Sequence, residues 1–200
     1  MLRISSVLLS VLVIANASHA AETFKPTADG FIANWLVLEP ISLPDSASSH
    51  DEENQKDLFD KEYFPGQKGV EPKNGDKVKV GEKELTWRTQ TTEDGMLGLE
   101  EVSNSMFIAV AYIHCEEEIS GLSLKIGSDD SSMWFLNGAE VLRVYAGRGL
   151  ERDQSSSPEP VTLKKGVNVL MACVINGEGP AGLCARFAKP VTNFKVSLEK

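Results

Sequence analysis

Residues 127–138 read Gly-Ser-Asp-Asp-Ser-Ser-Met-Trp-Phe-Leu-Asn-Gly, and the fold turns on how this stretch is read. The run "MWFL" (133–136) is apolar and aromatic, a composition that favours a strand. Asn137-Gly138 follows it directly and is followed by a second β-rich run, "EVLRVY" (140–145). Asn-Gly between two such runs signals a two-residue hairpin, because a type I′ turn needs positive φ at both central residues. Ahead of the strand stand two adjacent acids, Asp129 and Asp130. Either they hold a ligand or they hydrogen-bond their own backbone to shape the entry into the strand. Both readings stay open on the sequence.

The same signature extends in both directions. "LTWRT" (85–89), "MFIAVAYI" (106–113), "LSLKI" (122–126), "VNVLMACVI" (167–175), "LCARF" (183–187) and "FKVSL" (194–198) read as further strands separated by turn residues. In "LSLKI", Leu122, Leu124 and Ile126 fall on one face, with Ser123 and Lys125 on the other. The N-terminal part is less regular. "FIANWLVLEP" (31–40) is a strand stopped by Pro40, the acidic loop 44–57 runs into a short helix around 54–59, and "KVKV" (77–80) belongs to a hairpin. Long helical periodicity is absent from residue 85 onward. The expected fold is an all-β antiparallel sandwich of jelly-roll type with an irregular N-terminal wrap.

Composition bounds the rest. Arg3, the apolar run 7–15 and Ser18–Ala20 have the form of a cleaved signal peptide over residues 1–20, so a secreted or periplasmic mature chain is expected. Residues 21–28 then form an N-terminal extension and 29–200 a single sandwich domain. Net charge is −9, and loss of Arg3 with the signal makes the mature chain one unit more negative. An acidic surface argues against nucleic acid as a partner, and no later run is apolar enough for membrane insertion. Catalysis finds little support. After residue 20 the histidines are His50 and His114, no G-x-S-x-G elbow is present, and the acidic run 116–118 has the form of a solvated turn. Trp35, Trp87 and Trp134 could stack on sugar rings, but large aromatics in strands are mostly core.

Taken together, "GSDDSSMWFLNGAEVLRV" and "VTLKKGVNVLMACVINGEGPAGLCARF" resemble the galactose-binding-like or PA14-like sandwich modules of secreted bacterial carbohydrate-active proteins. The region 29–198 is similar to an accessory domain that accompanies a separate catalytic domain in proteins labelled acetylxylan esterases. The resemblance implies a non-catalytic, carbohydrate-binding module associated with xylan-type polysaccharide degradation, with a polysaccharide or a carbohydrate-active enzyme as partner. A small esterase with an unfamiliar site is the enzyme alternative. A protein-interaction module using the acidic loop 45–57 is the third reading. In PA14-type lectins an Asp-Asp pair in this setting binds calcium that bridges to sugar hydroxyls. Carried onto this chain, the resemblance implies Asp129 and Asp130 as calcium ligands; calcium takes six to eight oxygens, so Asn137 or distant loop carbonyls would have to complete the site, and Trp134 joins the acids as a candidate ligand-binding residue at the same loop end. For the cysteines, spacing leaves several arrangements open: a hairpin could oppose Cys173 and Cys184, or all three thiols could be buried hydrophobes. The family pattern implies a Cys115–Cys184 disulfide, with Cys173 free in a core strand.

Overall fold

The computed structural model describes residues 22–188 and 194–200; the expected signal peptide lies outside the described residues. In chain order the first strands are β1 (Thr23–Phe24), β2 (Asn34–Leu38) and β3 (Ile41–Ser42). Helix α1 (Glu52–Asp60) follows, then β4 (Lys77–Val80), β5 (Lys83–Thr91), β6 (Leu97–Leu99), β7 (Ser105–Cys115) and β8 (Ile119–Asp129). The C-terminal half supplies β9 (Ser131–Leu136), β10 (Ala139–Val144), β11 (Ser155–Ser156), β12 (Val161–Leu163), β13 (Gly166–Asn176), β14 (Ala181–Ala188) and β15 (Phe194–Ser197). Among the described residues no helix is long and apolar enough to cross a membrane.

The strands form two antiparallel sheets. The larger runs β10-β9-β13-β7-β2-β5-β4, with β3 and β15 also on β7 and β1 on β15. The smaller runs β11-β8-β14-β6, with β12 on β8. This is the expected all-β sandwich. Residues 23–24 of the expected extension join it, since β1 pairs with β15 through Thr23 and Ser197. The Asn137-Gly138 hairpin forms as read, with φ of 52° and 79°, and joins β9 to β10. The short helix is there too, capped at its start by Asp51, whose carboxylate accepts the Asn54 N–H.

The centre of the larger sheet is buried on both faces, and this explains a run that reads poorly as an alternating strand. Along β7, Phe107, Ala109, Ala111 and Ile113 face the inter-sheet core beside Leu124, Ile126 and Leu183. Met106, Ile108, Val110 and Tyr112 face a second apolar layer that includes Ala47, Phe59, Phe64 and Trp87. Helix α1 and the neighbouring coil cover that outer face, so the strand is apolar at nearly every position. All three tryptophans are fully buried.

The cysteines depart from the family pattern. Cys115, Cys173 and Cys184 are free and buried. Cys115 sits on β7 opposite Gly166 and Phe194, whereas Cys184 sits on β14 of the other sheet, opposite Gly127. The two do not meet across neighbouring strands, so the Cys115–Cys184 bridge is corrected to two separate thiols. Burial pushes the Cys173 thiol up to about 12 and Cys184 to about 11, with Cys115 raised in the same way. The expected outcome with an aromatic disulfide reagent at pH 8 is no rapid reaction in the native protein and three thiols after unfolding. Two thiols fewer on unfolding under non-reducing conditions would establish a bridge.

Candidate functional site

Asp129 and Asp130 stand where the chain changes sheets. Asp129 ends β8 in the smaller sheet, opposite Gly182 of β14; Ser131 begins β9 in the larger sheet, opposite Ile175 of β13. Asp130 is the single residue between the two strands, and its N–H donates to the Ile175 carbonyl at 3.2 Å. The peptide bond joining the two acids is cis. The stretch is therefore a corner between sheets as well as the entry to a hairpin strand.

Both oxygens of the Asp130 carboxylate are engaged. Oδ1 accepts the Arg148 N–H at 2.9 Å, and Oδ2 accepts the Gly177 N–H at 3.0 Å. One buried carboxylate thus ties the corner to the loop after β10 and to the turn after β13. Asp129 is half-buried. Burial, and next the Asp130 charge, push its carboxyl up, while the Leu150 main-chain N–H acts in the opposite sense.

Two further side chains complete the corner, and neither was singled out as a site residue from the sequence. The half-buried Arg148 guanidinium donates to the Ser128 carbonyl at 3.2 Å, to Ser128 Oγ at 2.9 Å and to Ser155 Oγ at 3.0 Å. Burial pulls its pKa down, and the Asp130 charge partly offsets this. His50 arrives from the acidic loop with Nε2 3.8 Å from Asp130 Oδ2. Its ring sits in a slot walled by two glycines. A Cβ on Gly147 would lie 2.5 Å from His50 Cδ2, and one on Gly177 2.7 Å from Cε1. On its other side, His50 Nδ1 lies 3.3 Å from Gln55 Nε2, which also donates to the Ala47 carbonyl at 2.8 Å.

The remaining expected ligand residues lie elsewhere. Trp134 is fully buried in the inter-sheet core, edge-on to Trp35 with centroids 6.3 Å apart, so its ring offers no face to a sugar. Its indole N–H donates to Ser132 Oγ at 3.0 Å; that hydroxyl donates to Ser128 Oγ, which in turn donates to the Asp130 carbonyl. Asn137 belongs to the opposite end of β9, about 20 Å along the strand from the acids at the usual rise per residue. There it donates to Asn168 Oδ1 at 2.9 Å and accepts the Val169 N–H at 2.9 Å, fixing the hairpin to β13. Trp134 is corrected to a core residue and Asn137 to a turn residue.

Calcium requires about six to eight oxygen ligands. Among the described residues no group of three His, Cys, Asp or Glu side chains converges to hold a metal ion. Asp130 already accepts two main-chain N–H groups, and a guanidinium and an imidazole stand at the same corner. The residues present do not fit the ion.

One serine–histidine couple has no motif along the chain. His114 Nε2 lies 2.6 Å from Ser197 Oγ, across the β7–β15 pair. Ser197 is fully buried and also hydrogen-bonds the Glu199 carbonyl. A nucleophile needs access to substrate, which this hydroxyl lacks, so the couple pins the last strand to the sheet. The run Glu116–Glu118 is exposed between β7 and β8, as a solvated turn.

No family model matches the chain, and no curated protein sequence matches it. Several solved structures are similar in outline. The PA14 domain of the MpAFP antifreeze protein is 12% identical, with 93% of each chain covered and a TM-score of 0.41. The A domain of epithelial adhesin 9 from Candida glabrata, in complex with Galb1-4GlcNAc, is 12% identical, with 89% of this chain and 91% of that chain covered and a TM-score of 0.40. A β-glucosidase from Kluyveromyces marxianus, in complex with glucose, is 16% identical over 56% of this chain and 14% of the enzyme, with a TM-score of 0.35.

Proposed function

We propose that this chain is an exported, non-catalytic β-sandwich module that binds carbohydrate at the loop end around Asp129 and Asp130. The observation that carries the reading is the convergence of four separate segments on one buried carboxylate. The sheet-crossing corner, residues 146–150, residues 176–179 and the His50 loop all meet at Asp130. Half-buried Asp129 stands next to this junction in the chain. A carboxylate held in a fixed position is suited to accepting hydrogen bonds from sugar hydroxyls, since charge-assisted bonds are the stronger ones. The ligand class is a plant-type, xylan-like polysaccharide, and the module serves as an accessory to a carbohydrate-active enzyme.

A glycan array probed with the mature protein and with Asp129→Asn tests this. Retention on xylan-type glycans, reduced at least several-fold in the variant, is the expected outcome; retention unaffected by the substitution would move the site elsewhere. The same preparation is incubated with acetylated xylan and p-nitrophenyl acetate. Turnover above the non-enzymatic background that one serine substitution abolishes would replace the binding reading with an esterase.

A further inference from the structure

We infer that the Asp129–Asp130 corner is metal-independent, the Asp130 carboxylate being satisfied by main-chain N–H groups of the chain itself, with His50 seated over it. The inference stands whether or not the module binds a glycan, because it concerns how two adjacent carboxylates are accommodated.

Two carboxylates on neighbouring residues repel, and burial intensifies this. Some positive or hydrogen-bonding group must offset it. A divalent cation is one answer. This chain supplies another from its own atoms. The main-chain N–H groups of Arg148 and Gly177 take one oxygen each of Asp130. The Arg148 side chain folds back over Ser128, the residue before Asp129, with three hydrogen bonds that hold its charge in place. Arg148 thus meets the corner twice, through its main-chain N–H on Asp130 and through its guanidinium on Ser128.

The space over Asp130 Oδ2 is also taken. The His50 ring fills the slot between Gly147 and Gly177, and both glycines are required there because a Cβ on either would overlap it. Gln55, fully buried on α1, and Ala47 hold the loop that carries the ring. One further oxygen lies close by in sequence. Asn176 Oδ1 is buried without a hydrogen-bond partner, and its amide nitrogen is committed to the Val102 and Gly179 carbonyls. Two carboxylates and one amide oxygen are fewer than the six to eight oxygens calcium takes, and Asp130 already accepts two main-chain N–H groups.

The test uses the mature protein with calcium as the probe. Thermal unfolding is followed in millimolar calcium and in excess chelator for wild type, Asp130→Asn and Arg148→Met. A specific site filled at a hundredfold excess over its dissociation constant would raise Tm by about 5–10 °C. The expected result is a wild-type Tm that agrees within about 1 °C in the two conditions, on the same scale. Arg148→Met is expected to melt several degrees lower in both. A calcium-dependent rise that disappears in Asp130→Asn would overturn the inference. A rise that survives in Asp130→Asn would locate the metal elsewhere and leave the corner metal-free. An Arg148→Met protein that melts with wild type would overturn the role given to Arg148.

Discussion

Replacing Trp134 with alanine lowers the Tm of the sandwich by about 10 °C, as measured by scanning calorimetry. The ring has 0% relative exposure between the two sheets, edge-on to Trp35. Truncating a buried tryptophan removes its transfer free energy and leaves a cavity that the neighbours fill only in part, costing about 3–5 kcal/mol. In a domain of this size each kcal/mol is worth about 2–4 °C. Part of the cost is polar. The indole N–H is the first donor in the chain that runs through Ser132 and Ser128 to the Asp130 carbonyl, so its loss also loosens the corner. A surface stacking platform would behave in the opposite way, with Tm nearly unchanged and glycan retention lost. That pattern would return Trp134 to the binding site.

Asp130→Ala has the second-largest effect, a loss of about 3 kcal/mol in urea unfolding. The substitution strands the N–H groups of Arg148 and Gly177, and a hydrogen bond to a charged group is worth about 1.5–3 kcal/mol. Asn at this position keeps one acceptor oxygen and should recover roughly half of the loss, on the same scale. Amide exchange at Gly177 and Arg148 should accelerate in the alanine protein more than exchange in β7 does, because the carboxylate ties three loops and not the core. A loss below about 1 kcal/mol would leave Asp130 an ordinary turn acid of the kind found at many loops.

Much of the fold is legible along the chain. The runs at 122–126 and 133–136 announce strands by composition and alternation, and Asn137-Gly138 announces its turn by the positive φ that those residues tolerate. The run at 106–113 is legible as β but not as two-faced. Its lack of alternation has a single cause, burial on both sides, and that becomes visible only once α1 and residue Phe64 are seen to cover the outer layer. At the site the acids are plain in the sequence, and their environment is not. His50 lies eighty residues before Asp130 and Gly177 lies forty-seven after it, with nothing in their local patterns to link them. The two glycines that wall the His50 slot do carry a signal, but only to a reader who already knows what approaches them. The Cys115–Cys184 pairing failed for the same reason: proximity was inferred from a pattern along the chain, while the two strands belong to different sheets.

By itself, then, the sequence determined the elements with local causes: the longer strands, the short helix, the type I′ hairpin and the acidic character of the corner. Backbone φ preferences, capping and side-chain periodicity act over a few residues and can be read there. The tertiary structure alone decided which sheet each strand joins and that the chain crosses between sheets at Asp130. It also decided that all three tryptophans face inward, and that a histidine and an arginine meet the acids. Those outcomes depend on strand pairing across dozens of residues, where many registers share one local pattern and only the packing of both sheets at once selects among them.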